Sequence, residues 1–236
     1  MWVPCAARWV AEIPRLEGMT SPAAVRPLVV LDCDSTTIQD EVIELLAESA
    51  GTRAEVAEVT ERAMRGELDF AESLRERVAT LAGTPDTVFA EAYRKVRKSA
   101  GIDALVAEVH ARGGLVGVVS GGFHEVLDPL AADLGLDHWR ANRLEVTDGR
   151  LTGRVSGPIV DAEAKAAALT EWASAANIPL SATVAIGDGA NDLAMMAVAG
   201  LSVAYNAKPI VRERADVEVE NDLSLVIPLL DRLSNS

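Results

Sequence analysis

Apolar and polar positions follow two rhythms along this chain. Four short apolar runs, Leu28–Leu31, Leu115–Val119, Thr183–Ile186 and Leu201–Ala204, each stop at small or polar residues. Continuous runs of four or five apolar residues fit strands buried on both faces. Between them, apolar positions recur at helical spacing over roughly 102–112, 124–133, 162–175 and 191–198. Strand and helix alternating at this spacing predict a doubly wound, Rossmann-like α/β fold with a parallel sheet and helices on both faces. Two segments break the alternation. Residues 40–99 carry several helical patterns and no good strand, so a small helical lobe is expected to be inserted after the first strand. Residues 144–155 read as a hairpin, because Leu144–Val146 and Leu151–Val155 flank Asp148-Gly149, a strong turn signal. The expected layout is therefore a core over 26–39 and 100–236, a helical lobe over 40–99, and a flexible extension over 1–25.

The ends of the predicted strands concentrate the polar chemistry. Ligands of open α/β sheets bind there. After the first strand come Asp32 and Asp34, two residues apart, so both side chains leave the same face. Carboxylates held that close do not both ionise freely unless a cation or shared proton relieves them. Such a pair suits a nucleophile or metal ligand beside an acid/base, although a capping Asp plus a turn Asp fits the spacing equally well. After the second strand, Ser120-Gly121-Gly122 offers a hydroxyl and open backbone N–H groups leading into a helix, whose N-terminus favours an anion. A plain glycine turn with a Ser cap is the other reading. After the third strand, Gly187-Asp188-Gly189-Ala190-Asn191-Asp192 adds two carboxylates and an amide. Asp188 beside Asp32 would complete an oxygen-only site of the kind that suits Mg²⁺, while Asn191 and Asp192 could simply cap the next helix. Lys165 stands in the first turn of an Ala-rich helix, where a cation opposes the helix dipole. It is either a surface lysine or one held there by function.

Composition narrows the reading. The chain has 236 residues, enough for one substantial core plus a small lobe, and its apolar share of 49% is that of a globular protein. A formal net charge of -14 without a Lys/Arg cluster argues against a nucleic-acid or anionic-membrane partner. No window is long and apolar enough to span a bilayer. The first 25 residues make a poor signal peptide, and Met19 is an alternative start, so the cytoplasm is the expected location. Cys5 and Cys33 do not form a disulfide framework, and Cys33 reads as a small core residue. A cysteine phosphatase loop would need an Arg at position 39, which is Gln. His110, His124 and His138 match no metal spacing, and Trp139 and Trp172 read as packing residues.

Within 40–99, Phe70, Leu74, Val78 and Leu81 fall on one helical stripe, with Arg77 at its border. Arg77 could lay its stem along that stripe, or hold a carboxylate in a bidentate pair. Glu41 could take an ammonium, or merely favour a helix dipole.

Asp32-Cys33-Asp34-Ser35-Thr36, Ser120-Gly121-Gly122, Lys165 and Gly187-Asp188-Gly189-Ala190-Asn191-Asp192 occur in the order found in the haloacid dehalogenase superfamily of aspartate-nucleophile phosphatases. The resemblance spans 27 to about 220, and it is closest to the phosphoserine phosphatase branch. That branch has a Glu after Asp-x-Asp-Ser-Thr and an Arg in a small helical cap. Here Glu41, Met64-Arg65-Gly66, Phe70 and Arg77 take those places. The resemblance implies Mg²⁺-dependent hydrolysis of O-phospho-L-serine, the last step of serine biosynthesis. Asp32 would be the nucleophile and Asp34 the acid/base. Asp32, Asp188 and the backbone carbonyl of Asp34 would hold the metal, and Asp192 would orient metal-bound water. Ser120, Gly121 and Lys165 would bind the phosphate, and Asn191 would touch it or Lys165. Glu41 and Arg77 would read the amino and carboxylate groups, with Met64 and Phe70 in support. Two rivals stand beside this reading: a phosphatase for another small phosphate ester, and a silent member of the fold that binds a phosphoamino acid or a protein.

Overall fold

The computed structural model describes residues 26–65 and 67–233. The expected N-terminal extension, Cys5 and the alternative start at Met19 lie outside the described residues. Among the described residues, seven strands form one sheet in the order β4-β3-β2-β1-β5-β6-β7. They are β1 (Leu28–Leu31), β2 (Leu115–Phe123), β3 (His138–Thr147), β4 (Arg150–Ser156), β5 (Thr183–Gly187), β6 (Leu201–Tyr205) and β7 (Val217–Val219). All neighbours are parallel except β3 and β4, the predicted hairpin. Helices α1 (Val42–Ala50), α2 (Arg53–Met64), α3 (Phe70–Ala79) and α4 (Val88–Tyr93) lie between β1 and α5 (Ile102–Ala111). After β2 come α6 (His124–Leu134), α7 (Ala162–Ala175), α8 (Leu193–Val198) and α9 (Pro209–Arg212). Among the described residues no helix is long and apolar enough to cross a membrane.

β1 is buried along its whole length because helices cover both faces of the sheet. Its side chains divide by parity. Val29 and Leu31 enter the larger core with Val116, Val118, Val184 and Ile186, and Cys33 sits there as a buried free thiol. Leu28 and Val30 enter a second core with Ala168, Leu169, Trp172 and Met195. The partners of β1 explain where a site must form. Leu31 pairs with Val118 of β2 on one side and Ile186 of β5 on the other. The winding direction reverses at β1, and the crevice left at the strand ends is where such sheets bind ligands.

The helical insertion leaves and rejoins the core through a narrow neck. Ile38 bridges Lys98 in antiparallel fashion, Gln39 N–H donates to the Arg97 carbonyl at 2.9 Å, and Ser99 N–H donates to the Thr37 carbonyl at 3.0 Å. On its far side the insertion rests on the hairpin: Gly83 N–H donates to the Leu151 carbonyl, and Leu151 N–H to the Thr84 carbonyl.

Several elements differ from expectation. β2 does not stop at Val119. Ser120-Gly121-Gly122 stays extended through Phe123, with a shift in pairing register that the absent side chains permit. β3 begins at His138 and joins the main sheet, six residues before the predicted hairpin arm. β7 spans three residues, too short to stand out as a pattern. The helix expected from 191 opens with a 3₁₀ turn, Ala190–Asp192, and turns α-helical at Leu193. Trp172 is buried, stacked on His138 at 5.2 Å between rings. Trp139, expected to pack, is 40% exposed and donates its indole N–H to Asp128.

Candidate active site

Asp32 is the first residue beyond β1. Its N–H donates to the Ile186 carbonyl at 2.9 Å, and its own carbonyl accepts the Thr37 hydroxyl at 2.6 Å. The chain then turns tightly through Cys33–Thr37, closed by Ile38 N–H on the Cys33 carbonyl at 3.0 Å. Ser35 takes a left-handed φ of 57°, a strained conformation for a residue with a side chain. Its hydroxyl donates to Glu41 at 2.7 Å, which ties the turn to the start of α1. The same turn places Asp34 beneath that helix, where Val42 N–H donates to its Oδ2 at 3.2 Å. Asp34 Oδ1 is buried with no partner among the described residues. Burial, Glu41 and Asp32 together push the Asp34 carboxyl well above the usual range. Gly122 lets β2 come this close: a Cβ there would lie 3.0 Å from Ser120 Oγ and 3.3 Å from the Asp34 carboxylate.

Lys165 is fully buried, which excludes the surface-lysine reading. Its Nζ donates to Asp32 Oδ1 at 2.5 Å and to Asp192 Oδ1 at 2.7 Å. Two carboxylates in a buried site raise its pKa despite the cost of burial, so it stays charged. They also offset its unfavourable position in the first turn of α7. Asp192 is buried beneath β5, and its Oδ2 accepts N–H groups from Asp188 and Gly189 at 3.1 and 3.0 Å. A Cβ at Gly187 would sit 2.4 Å from the Asp192 carboxyl, so only glycine leaves room for this fold-back. Asp192 is thus the anchor of Lys165 and of the Asp188 turn.

Asp32, Asp188 and Asp192 each bring one oxygen within 4.8 Å of the others, a group that could hold a metal ion. Burial, partly offset by Lys165, pushes Asp32 up to about 7. Burial and neighbouring Asp192 push Asp188 up to about 6. One lysine cannot neutralise three clustered carboxylates. A hard divalent cation, bound through oxygen, fits the remaining charge.

Above these groups lies a cavity of about 130 Å³, lined by Asp32, Asp34, Glu41, Phe70, Arg77, Ser120, Gly121, Asp188 and Asn191. The structure thus brings these sequence-derived candidates to one place. Lys165 and Asp192 sit below the floor rather than in the wall. Ser120 is buried, and its Oγ accepts Gly122 N–H at 2.8 Å. Asn191 faces the cavity, whereas the Lys165 bonds go to Asp32 and Asp192. Met64 ends α2, and its side chain lies outside the described residues.

Across the cavity stands α3. Its start is fixed by a capping box, Asp69 accepting Glu72 N–H at 2.7 Å and Glu72 accepting Asp69 N–H at 3.0 Å. That start sets Phe70, Leu74 and Arg77 on one face, and all three line the cavity. Leu74, Val78 and Leu81 are buried as the stripe predicts, while Phe70 hangs 36% exposed with its ring over Gly121. Arg77 donates to the Ser73 carbonyl at 3.3 Å and forms no ion pair with a described residue. Burial lowers its pKa, while Glu41 and Asp34 nearby favour its charge.

Two contributors escaped the sequence reading. Asn142 in β3 donates to the Gly121 carbonyl at 2.8 Å and accepts Val160 N–H at 2.8 Å, bracing the irregular end of β2. Lys208, at the start of α9, lines the cavity beside Asp188. Neither lies in a pattern that points to the site: Asn142 falls inside β3, and Lys208 stands in an ordinary turn after β6, just before Pro209.

Comparison with known proteins agrees with this architecture. The family described as haloacid dehalogenase-like hydrolase matches residues 29–197. A phosphoserine phosphatase of Streptococcus thermophilus is 53% identical over 89% of this chain and 98% of its own length. A phosphoserine phosphatase of Streptomyces coelicolor is 56% identical over 86% of this chain, which spans 48% of that longer relative. A solved structure described as a phospho-aspartyl intermediate analogue of phosphoserine phosphatase superimposes with a TM-score of 0.81, at 40% identity, over 87% of this chain and 99% of its own.

Proposed function

The chain belongs to the haloacid dehalogenase-like hydrolase family, and we propose that it hydrolyses O-phospho-L-serine to L-serine and phosphate through a phosphorylated Asp32. One observation carries the reading: Asp32 is clamped by Lys165 under a cavity that also presents Arg77, Glu41 and the buried carboxyl of Asp34. Asp32 Oδ1 is held by Lys165, which leaves Oδ2 to attack phosphorus. The new bond is Asp32–phosphorus, and the bond broken joins phosphorus to the serine oxygen. Asp34 holds its proton because its site disfavours charge, and it gives that proton to the departing oxygen. It then takes a proton from the water that attacks phosphorus and frees Asp32. Ser120 and Gly121 position the phosphoryl oxygens, with Asn191 beside them, and the charge of Lys165 supports them from below the floor. Arg77 takes the substrate carboxylate and Glu41 the ammonium.

Asp32, Asp188 and the Asp34 backbone carbonyl are the groups that would hold Mg²⁺. A bound Mg²⁺ supplies charge neutralisation between the carboxylates and the phosphate dianion. Residues 40–99 act as the cap, which excludes bulk water while Phe70 rests on Gly121.

The reading is tested by phosphate release from L-phosphoserine with and without Mg²⁺, beside phosphothreonine, a sugar phosphate and a nucleotide monophosphate. Strong Mg²⁺-dependent preference for phosphoserine is expected. Preference for another ester would keep Asp32 and Asp34 and overturn the roles of Glu41 and Arg77.

Two further outcomes follow. Arg77→Ala should raise KM for phosphoserine about 10- to 100-fold, the worth of one hydrogen bond to a charged group, and change aryl phosphate hydrolysis only a few-fold. Equal losses on both would make Arg77 structural. Mg²⁺ should also stabilise the protein more at pH 7.5 than at pH 5. Protons compete with the metal at Asp188, pushed up to about 6, and at Asp32, pushed up to about 7, so binding strengthens as pH rises through those values. Thermal melts at both pH values check this, and a shift independent of pH would contradict it.

A further inference from the structure

Among the described residues, Lys208 is the one cavity-lining cation that the reaction as proposed leaves without a task. The chain has four lysines, and three of them are paired. Lys95 holds Glu48, Lys98 holds Asp103 and Asp133, and Lys165 holds Asp32 and Asp192. The Lys208 side chain forms no hydrogen bond or ion pair with any described residue, in a protein of net charge -14.

Its backbone is nevertheless firmly placed. Lys208 N–H donates to the Asp188 carbonyl at 3.0 Å, which binds it to the turn that carries Asp188. Pro209 follows, and the residue before a proline is held out of the helical region. Lys208 accordingly has φ -63° and ψ 151°, as the last extended residue before α9. The ammonium therefore stands at the rim of the site on a stem anchored at its base. It also lines a second, polar cavity of about 490 Å³ beside Ser35, Asn206 and Asn221, which meets the catalytic cavity at Asp188 and Lys208. Lys208 is thus at the junction of the two spaces.

From this placement, and resting on the phosphatase reading above, we infer that Lys208 binds the phosphate dianion as it enters and leaves. Lys165 is bonded to Asp32 and Asp192 below the floor, and Arg77 is across the cavity on α3. An anion approaching a rim that also carries Glu41 and Asp188 meets repulsion. One exposed, unpaired ammonium there supplies a local attraction without a desolvation cost, and rim charges act chiefly on capture and release. Lys208 is assigned to substrate capture and to retention of product phosphate, with no part in the bond-breaking step.

The test compares wild type, Lys208→Ala, Lys208→Arg and Lys208→Glu. Calorimetric titration with inorganic phosphate in the presence of Mg²⁺ gives Kd without relying on turnover. Steady-state kinetics on phosphoserine and on an aryl phosphate give KM, kcat and the inhibition constant of phosphate. Lys208→Ala should weaken phosphate binding and raise KM for both esters about five- to tenfold, with kcat within about twofold. Lys208→Arg should recover most of the loss, and Lys208→Glu should exceed it. Added salt should narrow the gap between wild type and Lys208→Ala. Melting temperature should hold, since no described partner is lost. Phosphate Kd and KM unchanged in Lys208→Ala, or kcat falling alone, would overturn the assignment. Wild-type failure on phosphoserine with aryl phosphate still hydrolysed would instead overturn the substrate reading, and the phosphate Kd would still decide on Lys208.

Discussion

Asp32→Asn should lose at least about four orders of magnitude in turnover while the protein stays folded, as expected when a covalent nucleophile is removed. The substitution is nearly isosteric, and the amide oxygen can still accept the Lys165 hydrogen bond. What disappears is the anionic oxygen that forms the bond to phosphorus, replaced by an amide nitrogen whose lone pair is delocalised. The fold gains little reason to fail, because burial already pushes Asp32 up to about 7. A neutral amide relieves that cost, and Lys165 keeps Asp192 as its counter-ion. Without Mg²⁺, melting temperature at pH 7.5 should hold or rise slightly, and the Mg²⁺-induced shift should shrink. Rapid-quench detection of phosphoenzyme provides the direct check: wild type should form an acid-stable, hydroxylamine-labile phosphoprotein, and Asp32→Asn none. A folded Asp32→Asn protein with ordinary turnover would end the assignment.

Lys165→Met is expected to damage both activity and stability. The methionine fills much of the lysine stem, so packing is largely kept. The charge is not. Asp32 and Asp192 lose the cation that binds them at 2.5 and 2.7 Å, and both are buried. Removing one partner of a buried ion pair costs about 3–5 kcal/mol. For a chain of this size that corresponds to roughly 10 °C in melting temperature. The loss should depend on pH, and its sign is fixed. A carboxyl whose folded pKa lies above its unfolded value destabilises increasingly as pH rises through the folded value. Without Lys165 that value climbs above about 7, so the deficit should be smallest near pH 5, grow as pH rises through 7, and be complete only above the raised value. Turnover should fall at least about 100-fold from the lost electrostatic support of the phosphoryl oxygens. A loss of stability that ignores pH would mean that packing, not charge, explains the position.

The strand ends were legible because buried parallel strands write themselves as unbroken apolar runs. Leu28–Leu31 and Thr183–Ile186 stand out, and the residues that follow them line the cavity. The partners of Lys165 were less visible. Sequence marks it only as a cation opposed to a helix dipole, and the carboxylates that resolve the conflict lie 133 and 27 residues away. Lys208 gave no sign at all. Its neighbours Asn206, Ala207 and Pro209 read as an ordinary turn, and only the pairing of β5 with β6 carries it to Asp188. The extended course of Ser120-Gly121-Gly122 was hidden for another reason. Glycines normally end strands, and here Asn142, from a strand the pattern underplayed, holds them straight.

The neck between Ile38 and Lys98 has an evolutionary consequence. Paired residues of an antiparallel bridge stand about 5 Å apart, so the intervening segment begins and ends at nearly the same point. A segment with coincident ends can be exchanged for another of different length, as in domain insertion, without stretching the sheet beneath it. Asp32, Asp34, Lys165 and Asp188 lie outside that segment, whereas Glu41, Phe70 and Arg77 lie within it. On the proposed roles, recognition is therefore a detachable module: a lineage could change its preferred ester by replacing one stretch of gene while the groups proposed to react descend unaltered.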